Sequence, residues 1–438
     1  MMRRIDVRGR LEEIDYRRLI SRAVFDVDAA IEEVRPICAA VRRDGYRAIV
    51  DYTDRLDGVP AVEVVVTADE LGAALEALDP DLRSALLNSI ERLRISCRAE
   101  LPIDTASTPT PGARVLQRNV PMERVGVYAP SAKAPLISSV VMNVVPAQVA
   151  GVNDIALASP PLVEHGGRPH PGVLAAAALL GVSEVYAAGA SVAFPMFAYG
   201  FSDTTHGTCR PVDLITGPAN VYGVAAKRLL RSVVAIDSEA GPTEIAILAD
   251  ASADASWVAA DLISQAEHDA AAAGVLVTDS PDLADAVDEE LARVVPTTKH
   301  ADRIEAALRA DQSVIVLVDD VDQGVRVVNA YAAEHLEIQT RDAAAVAAKI
   351  RNAGAVFVGS FTPVSLGDYA AGSNHVLPTG GCACHSSGLS VRTFLKTMQV
   401  VEYDADSLAG AAPAVLTLSA AEDLPAHGDA VRTRLGGF

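Results

Sequence analysis

The chain reads as an α/β protein with two doubly wound units and helical segments at both ends. Three observations predict this. From Val125 onward short β-branched runs alternate with helical patterns, the alternation resumes at Val233, and the first hundred or so residues show three- and four-residue apolar spacing while the last thirty or so read as a helical tail.

Taken in order, residues 29–46, 67–78 and 80–99 carry helical periodicity, and the first hundred or so residues read as an accessory helical segment. It receives no role beyond packing or dimer support. A turn-rich break, DTASTPTPG at 104–112, closes it. Residues 125–128, 154–158 and 184–188 are predicted strands, with helices over 139–150 and 172–180 between them, the order of a parallel sheet with crossover helices. The pattern repeats with strands at 233–236, 244–248, 274–278 and 313–318 and helices at 255–268 and 283–294. Residues 360–388, rich in Gly, Ser, Pro and Asn, read as ordered loops beside a site. The last segment, 407–435, reads as a small helical tail containing a loop over Glu422 to His427. The expected organisation is therefore a helical segment (1–112), two Rossmann-like units (113–240 and 241–380) and a C-terminal loop and helical tail (381–438).

Composition narrows the function. Half of the 438 residues are apolar and 21% are charged, which predicts packed cores, and the length predicts more than one domain. A formal charge of −20 argues against a nucleic-acid partner and for a small neutral or cationic substrate, although a solvated acidic surface is the simpler account of the charge. Five cysteines form no disulfide framework and suit the reducing cytoplasm. The charged N-terminus has no signal-peptide pattern, and no apolar run has the roughly 20 residues that a membrane span needs.

Familiar short motifs are missing: there is no G-x-G-x-x-G, Walker loop, H-E-x-x-H or G-x-S-x-G. Cys382, Cys384 and His385 lack a matching second pair, so they read as a loop rather than a metal site. Gln265 and His268 lie three apart on a predicted helix and can face one ion, although His268 alone also suits a hydrogen-bonded helix residue. Asp368 and His375 bracket GDYAAGSNH, where glycines permit close turns near a ligand or simply an exposed Asx-type turn. Glu334 and His335 end the helical run VVNAYAAEH and are a candidate acid/base pair, despite the tendency of adjacent side chains to point apart. His427 sits before a predicted C-terminal helix. Histidines and carboxylates thus cluster where regular structure gives way to loops, which points to a zinc site with an added acid/base pair.

The chain resembles the histidinol dehydrogenases over essentially its whole length. The likeness rests on SSVVMNVVPAQ (138–148), ITGPANVYGVAAKRL (215–229), EAGPTEIAILAD (239–250), DLISQAEHD (261–269), NAYAAEHLEI (329–338), SLGDYAAGSNHVLPTGG (365–381) and EDLPAHGDAVR (422–432). The resemblance implies a zinc- and NAD-dependent enzyme of histidine synthesis, a homodimer that oxidises an imidazole amino alcohol. It implies zinc ligands at Gln265, His268, Asp368 and His427, the last from the partner subunit. Glu334 would activate water, His335 would act as general base, and Thr243, His375 and Glu422 would contact substrate. Tyr128 and Asn220 would line the cofactor site, with Ser191 where the family has glutamine. Departures fall on that side: Pro130-Ser131-Ala132 replaces Pro-Gly-Gly, Ala188-Gly189-Ala190-Ser191 replaces Gly-Gly-Ala-Gln, and Ala219 replaces a glycine before Asn220. Three readings stay open: a histidinol dehydrogenase with a reshaped NAD site, a paralogue acting on another imidazole or amino-alcohol substrate with or without NAD, and a non-catalytic zinc and imidazole binder.

Overall fold

The computed structural model describes all residues except 1, 11–14, 24–25, 61, 132–133 and 437–438, so the Ala132 departure lies outside the described residues. Two six-stranded sheets form its frame. In the first, strands Ala235–Ile236, Leu214–Thr216, Arg124–Tyr128, Asp154–Ser159 and Glu184–Ala187 run parallel in that order, and Val65–Val66 adds antiparallel at the edge. The second is wholly parallel, in the order Arg3–Asp6, Val314–Leu317, Ala273–Thr278, Glu244–Ala249, His335–Gln339, Ala355–Val358.

Apart from the N-terminal edge strands Arg3–Asp6 and Val65–Val66, each sheet starts in its middle, winds to one side and returns to wind to the other, so both units are Rossmann-like. Central strands such as Ile245, Ile247, Val275 and Val277 are fully buried on both faces, because helices cover each sheet on two sides. The helix Ala255–Ala266 shows how local sequence sets these elements. Asp254 caps its N-terminus by accepting from Ser256 N at 2.8 Å, and Val258, Leu262 and Ala259 supply the buried stripe.

Several elements differ from the sequence reading. The N-terminal segment is not purely helical: Arg3–Asp6 is an edge strand of the second sheet, paired with Val314–Leu317, and Val65–Val66 joins the first. A four-residue edge strand is too short to show a period. Strand 233–236 shrinks to Ala235–Ile236. The helix 255–268 ends at Ala266, leaving His268 just beyond it. The helical run through Glu334 stops at Tyr331, because Ala332 turns into the left-handed region at φ 51°, and a new strand begins at His335. The loop region after Gly359 contains the short helix Val364–Tyr369. Finally, Ala113–Pro121 and Leu395–Tyr403 form a nine-residue antiparallel pair, which leads into the helices Ala405–Ala421 and Pro425–Arg434. His427 lies within the second of these, not before it. No helix among the described residues is long and apolar enough to cross a membrane.

Candidate active site

A cavity of about 900 Å³ lies between the carboxyl ends of the first sheet and the amino ends of the second. Open parallel sheets bind ligands where the winding direction reverses, at the carboxyl ends of the strands. In the first unit that point lies between Arg124–Tyr128 and Leu214–Thr216, and Tyr128 and Asn220 line the cavity there, with Ser191 on the following helix. Gly217 makes the turn after Leu214–Thr216 at φ +116°, where an added Cβ would sit 2.1 Å from the Tyr128 carbonyl oxygen. Only glycine fits. Neither Ser131 nor Ala219 has positive φ, so the side chains that replace family glycines at these positions are accommodated without backbone strain. Ser131 turns its hydroxyl inward to Ser159, 3.1 Å away.

On the opposite wall are Gln265, His268 and Asp368. The orientation of Gln265 follows from a chain of bonds. The Thr243 hydroxyl donates to Glu334 Oε2 at 2.6 Å, so its lone pair accepts from Gln265 Nε2. That leaves the Gln265 amide oxygen buried and without a hydrogen-bond partner. An unpaired buried acceptor costs about 1–3 kcal/mol unless a ligand satisfies it, which is what a metal-binding oxygen requires before the metal arrives. His268 is open to solvent through the cavity yet enclosed by protein, and that desolvation lowers its imidazole while Asp368 opposes the shift. Desolvation likewise lowers the His375 imidazole against the pull of Asp368, and its Nδ1 lies 3.2 Å from the Asp368 carbonyl.

Behind this wall sit Glu334 and His335, both buried. They converge despite being adjacent, because Glu334 occupies a bend: its Oε2 is 3.5 Å from His335 Nδ1. His335 Nδ1 also lies 3.1 Å from the Glu244 carbonyl oxygen. A carbonyl can only accept, so Nδ1 carries the proton and Nε2 bears the lone pair. That Nε2 is buried and has no partner. Burial first, then the nearby Glu244 and Asp368 carboxylates, push Glu334 up to about 8 against the bonds from Thr243 and the Glu244 amide. Glu244 is raised too, by burial, while Arg22 compensates it through an ion pair and also donates to the Tyr331 carbonyl oxygen.

The family profile described as histidinol dehydrogenase matches residues 20–435. The chain belongs to this family. It is 58% identical to the histidinol dehydrogenase of Streptomyces avermitilis, over 100% of this chain and 98% of that protein. It is 59% identical to that of Mycolicibacterium smegmatis, over 99% and 98%. The solved histidinol dehydrogenase of Elizabethkingia anophelis superposes with a TM-score of 0.92 at 30% identity, covering 99% of this chain and 98% of that one. Membership makes the protein a dehydrogenase.

Of the residues singled out from sequence, one chain brings Gln265, His268, Asp368, Tyr128, Ser191 and Asn220 to the cavity wall, with Thr243, Glu334, His335 and His375 in the bonded network behind or beside it. Glu422 and His427 are exposed and do not line it. Among the described residues of one chain no three His, Cys, Asp or Glu side chains are gathered tightly enough to hold a metal. Gln265, His268 and Asp368 offer one amide oxygen, one imidazole and one carboxylate, three of the four ligand positions expected from the sequence. Sequence reasoning missed Asp57, which lines the cavity beside Gly189 and is pushed up to about 6 by burial. It also missed the Arg22–Glu244 pair and the buried Glu337. The last had a visible signal, a carboxylate at an inward position of the apolar run HLEI.

Proposed function

We propose that this protein oxidises L-histidinol to L-histidine through the aldehyde, with NAD as hydride acceptor and a zinc ion held by Gln265, His268 and Asp368 of one subunit and His427 of a second copy. The observation that carries the reading is the Gln265 amide oxygen, buried and left unpartnered by the Thr243–Glu334 chain, on a side chain that lines the cavity with His268 and Asp368. When bound, zinc would anchor the substrate imidazole and amine, which is positioning rather than water activation. NAD in the cleft by Tyr128, Ser191 and Asn220 would accept a hydride in each of two oxidations.

The chain's own residues supply the proton traffic. His335 Nε2 takes the alcohol proton as the hydride leaves, giving the aldehyde. Glu334, bonded to Thr243 and the Glu244 amide, takes a proton from the water that adds to the aldehyde, and His335 takes one again in the second oxidation. A recessed site retains the aldehyde between the steps. Thr243, His375 and Glu422 complete the substrate contacts, Glu422 from the partner together with His427.

Support for a second copy comes from the C-terminal hairpin. Helix Ala405–Ala421 is Ala- and Leu-rich yet mostly exposed, with Leu418 at 61% and Leu424 after it at 43%. The five free cysteines and a soluble metabolite as substrate fit action in the cytoplasm. Substrate choice tests the reading: zinc-loaded protein with NAD should turn over L-histidinol and leave L-phenylalaninol, which lacks ring nitrogens, essentially untouched. Comparable turnover of both would remove the imidazole anchor, and with it this function.

A further inference from the structure

Asp261 and Glu337 are buried carboxyl groups, 8% and 0% exposed, that the proton traffic above does not use. They lie within hydrogen-bonding reach of each other. We propose that Asp261 and Glu337 are positioning residues that share one proton and thereby lock together the three elements carrying Gln265, His335 and Asp368. This rests on the functional reading of the cavity given above.

The connections are direct. Asp261 lies on helix Ala255–Ala266, one turn before Gln265. Glu337 lies on strand His335–Gln339, two residues after His335, so both side chains leave the same face. Glu337 Oε1 also accepts from the Val364 amide at 2.9 Å, and Val364 opens the helix Val364–Tyr369 that carries Asp368. One carboxyl group thus touches a strand, a helix and the start of a second helix.

Two ionised carboxylates this deep would repel, whereas one proton between them makes a charge-assisted O–H···O bond. Burial and Asp261 push Glu337 up to about 9. Its partners across the sheet are Ile247 and Phe357, both apolar, so neither offers a compensating cation. Along its own strand Gln339 Nε2 donates at 3.4 Å and His335 shares the face; from the helices come Asp261 and the Val364 amide.

The sign of the pH effect follows. The unfolded chain loses the Glu337 proton near its ordinary value of about 4.3, whereas the folded protein keeps it until about 9. Stability from this group therefore falls as pH rises across that window. Glu337→Gln removes the titration but still accepts from Val364 and donates to Asp261.

The test compares wild type, Glu337→Gln and Glu337→Ala, all zinc-loaded, by melting temperature against pH and by histidinol turnover. The glutamine variant should gain melting temperature on wild type as pH rises from about 5 to about 9, and keep kcat within about threefold. The alanine variant, judged on its folded fraction, should lose about tenfold or more in kcat, because it frees three elements at once. A melting difference that is flat with pH would overturn the shared proton. An alanine variant that folds with undiminished kcat would overturn the positioning role, and if it does not fold, kcat loss in the glutamine variant beyond about tenfold would do so. Wild-type silence on L-histidinol would instead defeat the functional reading, while the melting comparison would still read the proton.

Discussion

Glu334 and His335 show how burial makes two neighbouring side chains into different tools. Burial raises the carboxyl to about 8, which favours its protonated form near neutral pH, and lowers the imidazole, which favours the free base. On the proposed mechanism only ionised Glu334 can accept a proton from water, so oxidation of the aldehyde should speed up as pH rises through about 8. Supplying histidinal directly measures this step, and a rate flat across that range would remove Glu334 as its base. His335→Asn should lower kcat by about 10²–10⁴-fold with zinc content unchanged, as expected for loss of a general base. Metal loss in that variant, checked by atomic absorption, would assign His335 to binding instead. At this scale the sequence exposed most of the side chains that the fold gathers at and behind the cavity wall, because histidines and carboxylates are rare in apolar runs. It hid Arg22 and Glu244, whose charges meet only after the fold brings positions 222 apart together.

At the scale of elements, the strands from Arg124–Tyr128 to Val314–Leu317 were legible wherever β-branched runs are long and buried on both faces. What escaped was decided by single conformations. The left-handed Ala332 ends a helix that the apolar spacing would carry on, and so converts Glu334 from a helical residue into a bend residue that can face His335. The short edge strand Arg3–Asp6 and the pairing of Ala113–Pro121 with Leu395–Tyr403 depend on partners far along the chain, which periodicity cannot see. The turn residues on the first unit's cavity wall sort by the same logic: Ser131 and Ala219 occupy ordinary backbone, while Gly217 does not. Gly217→Ala should therefore weaken NAD binding by about tenfold or more, by forcing the turn away from Tyr128, and leave zinc content intact. Unchanged NAD affinity by titration calorimetry would mean that this turn does not shape the cofactor cleft.

Over the whole molecule, the site lies where two Rossmann-like units face each other with opposite polarity. The first presents its carboxyl edge, as ligand-binding sheets usually do, but the second contributes Thr243, Glu334 and His335 from its amino edge. A rule based on one sheet would have found the wall that the first unit supplies and missed the one that the second supplies. The C-terminal hairpin, with His427 and Glu422 exposed, leaves the donor set one short within a single chain. If a second copy supplies the missing histidine, mixing inactive His268→Ala and His427→Ala chains should restore part of the activity, up to one intact site per heterodimer. Heterodimers that form and stay inactive would place the fourth ligand elsewhere. The central claim, that one cavity carries an alcohol through an aldehyde to an acid, is tested most directly by stoichiometry. Zinc-loaded protein given L-histidinol and excess NAD should form two NADH for every histidine, with no aldehyde accumulating in solution. One NADH per histidinol with free aldehyde as product, or none from folded, zinc-bound protein, would contradict it.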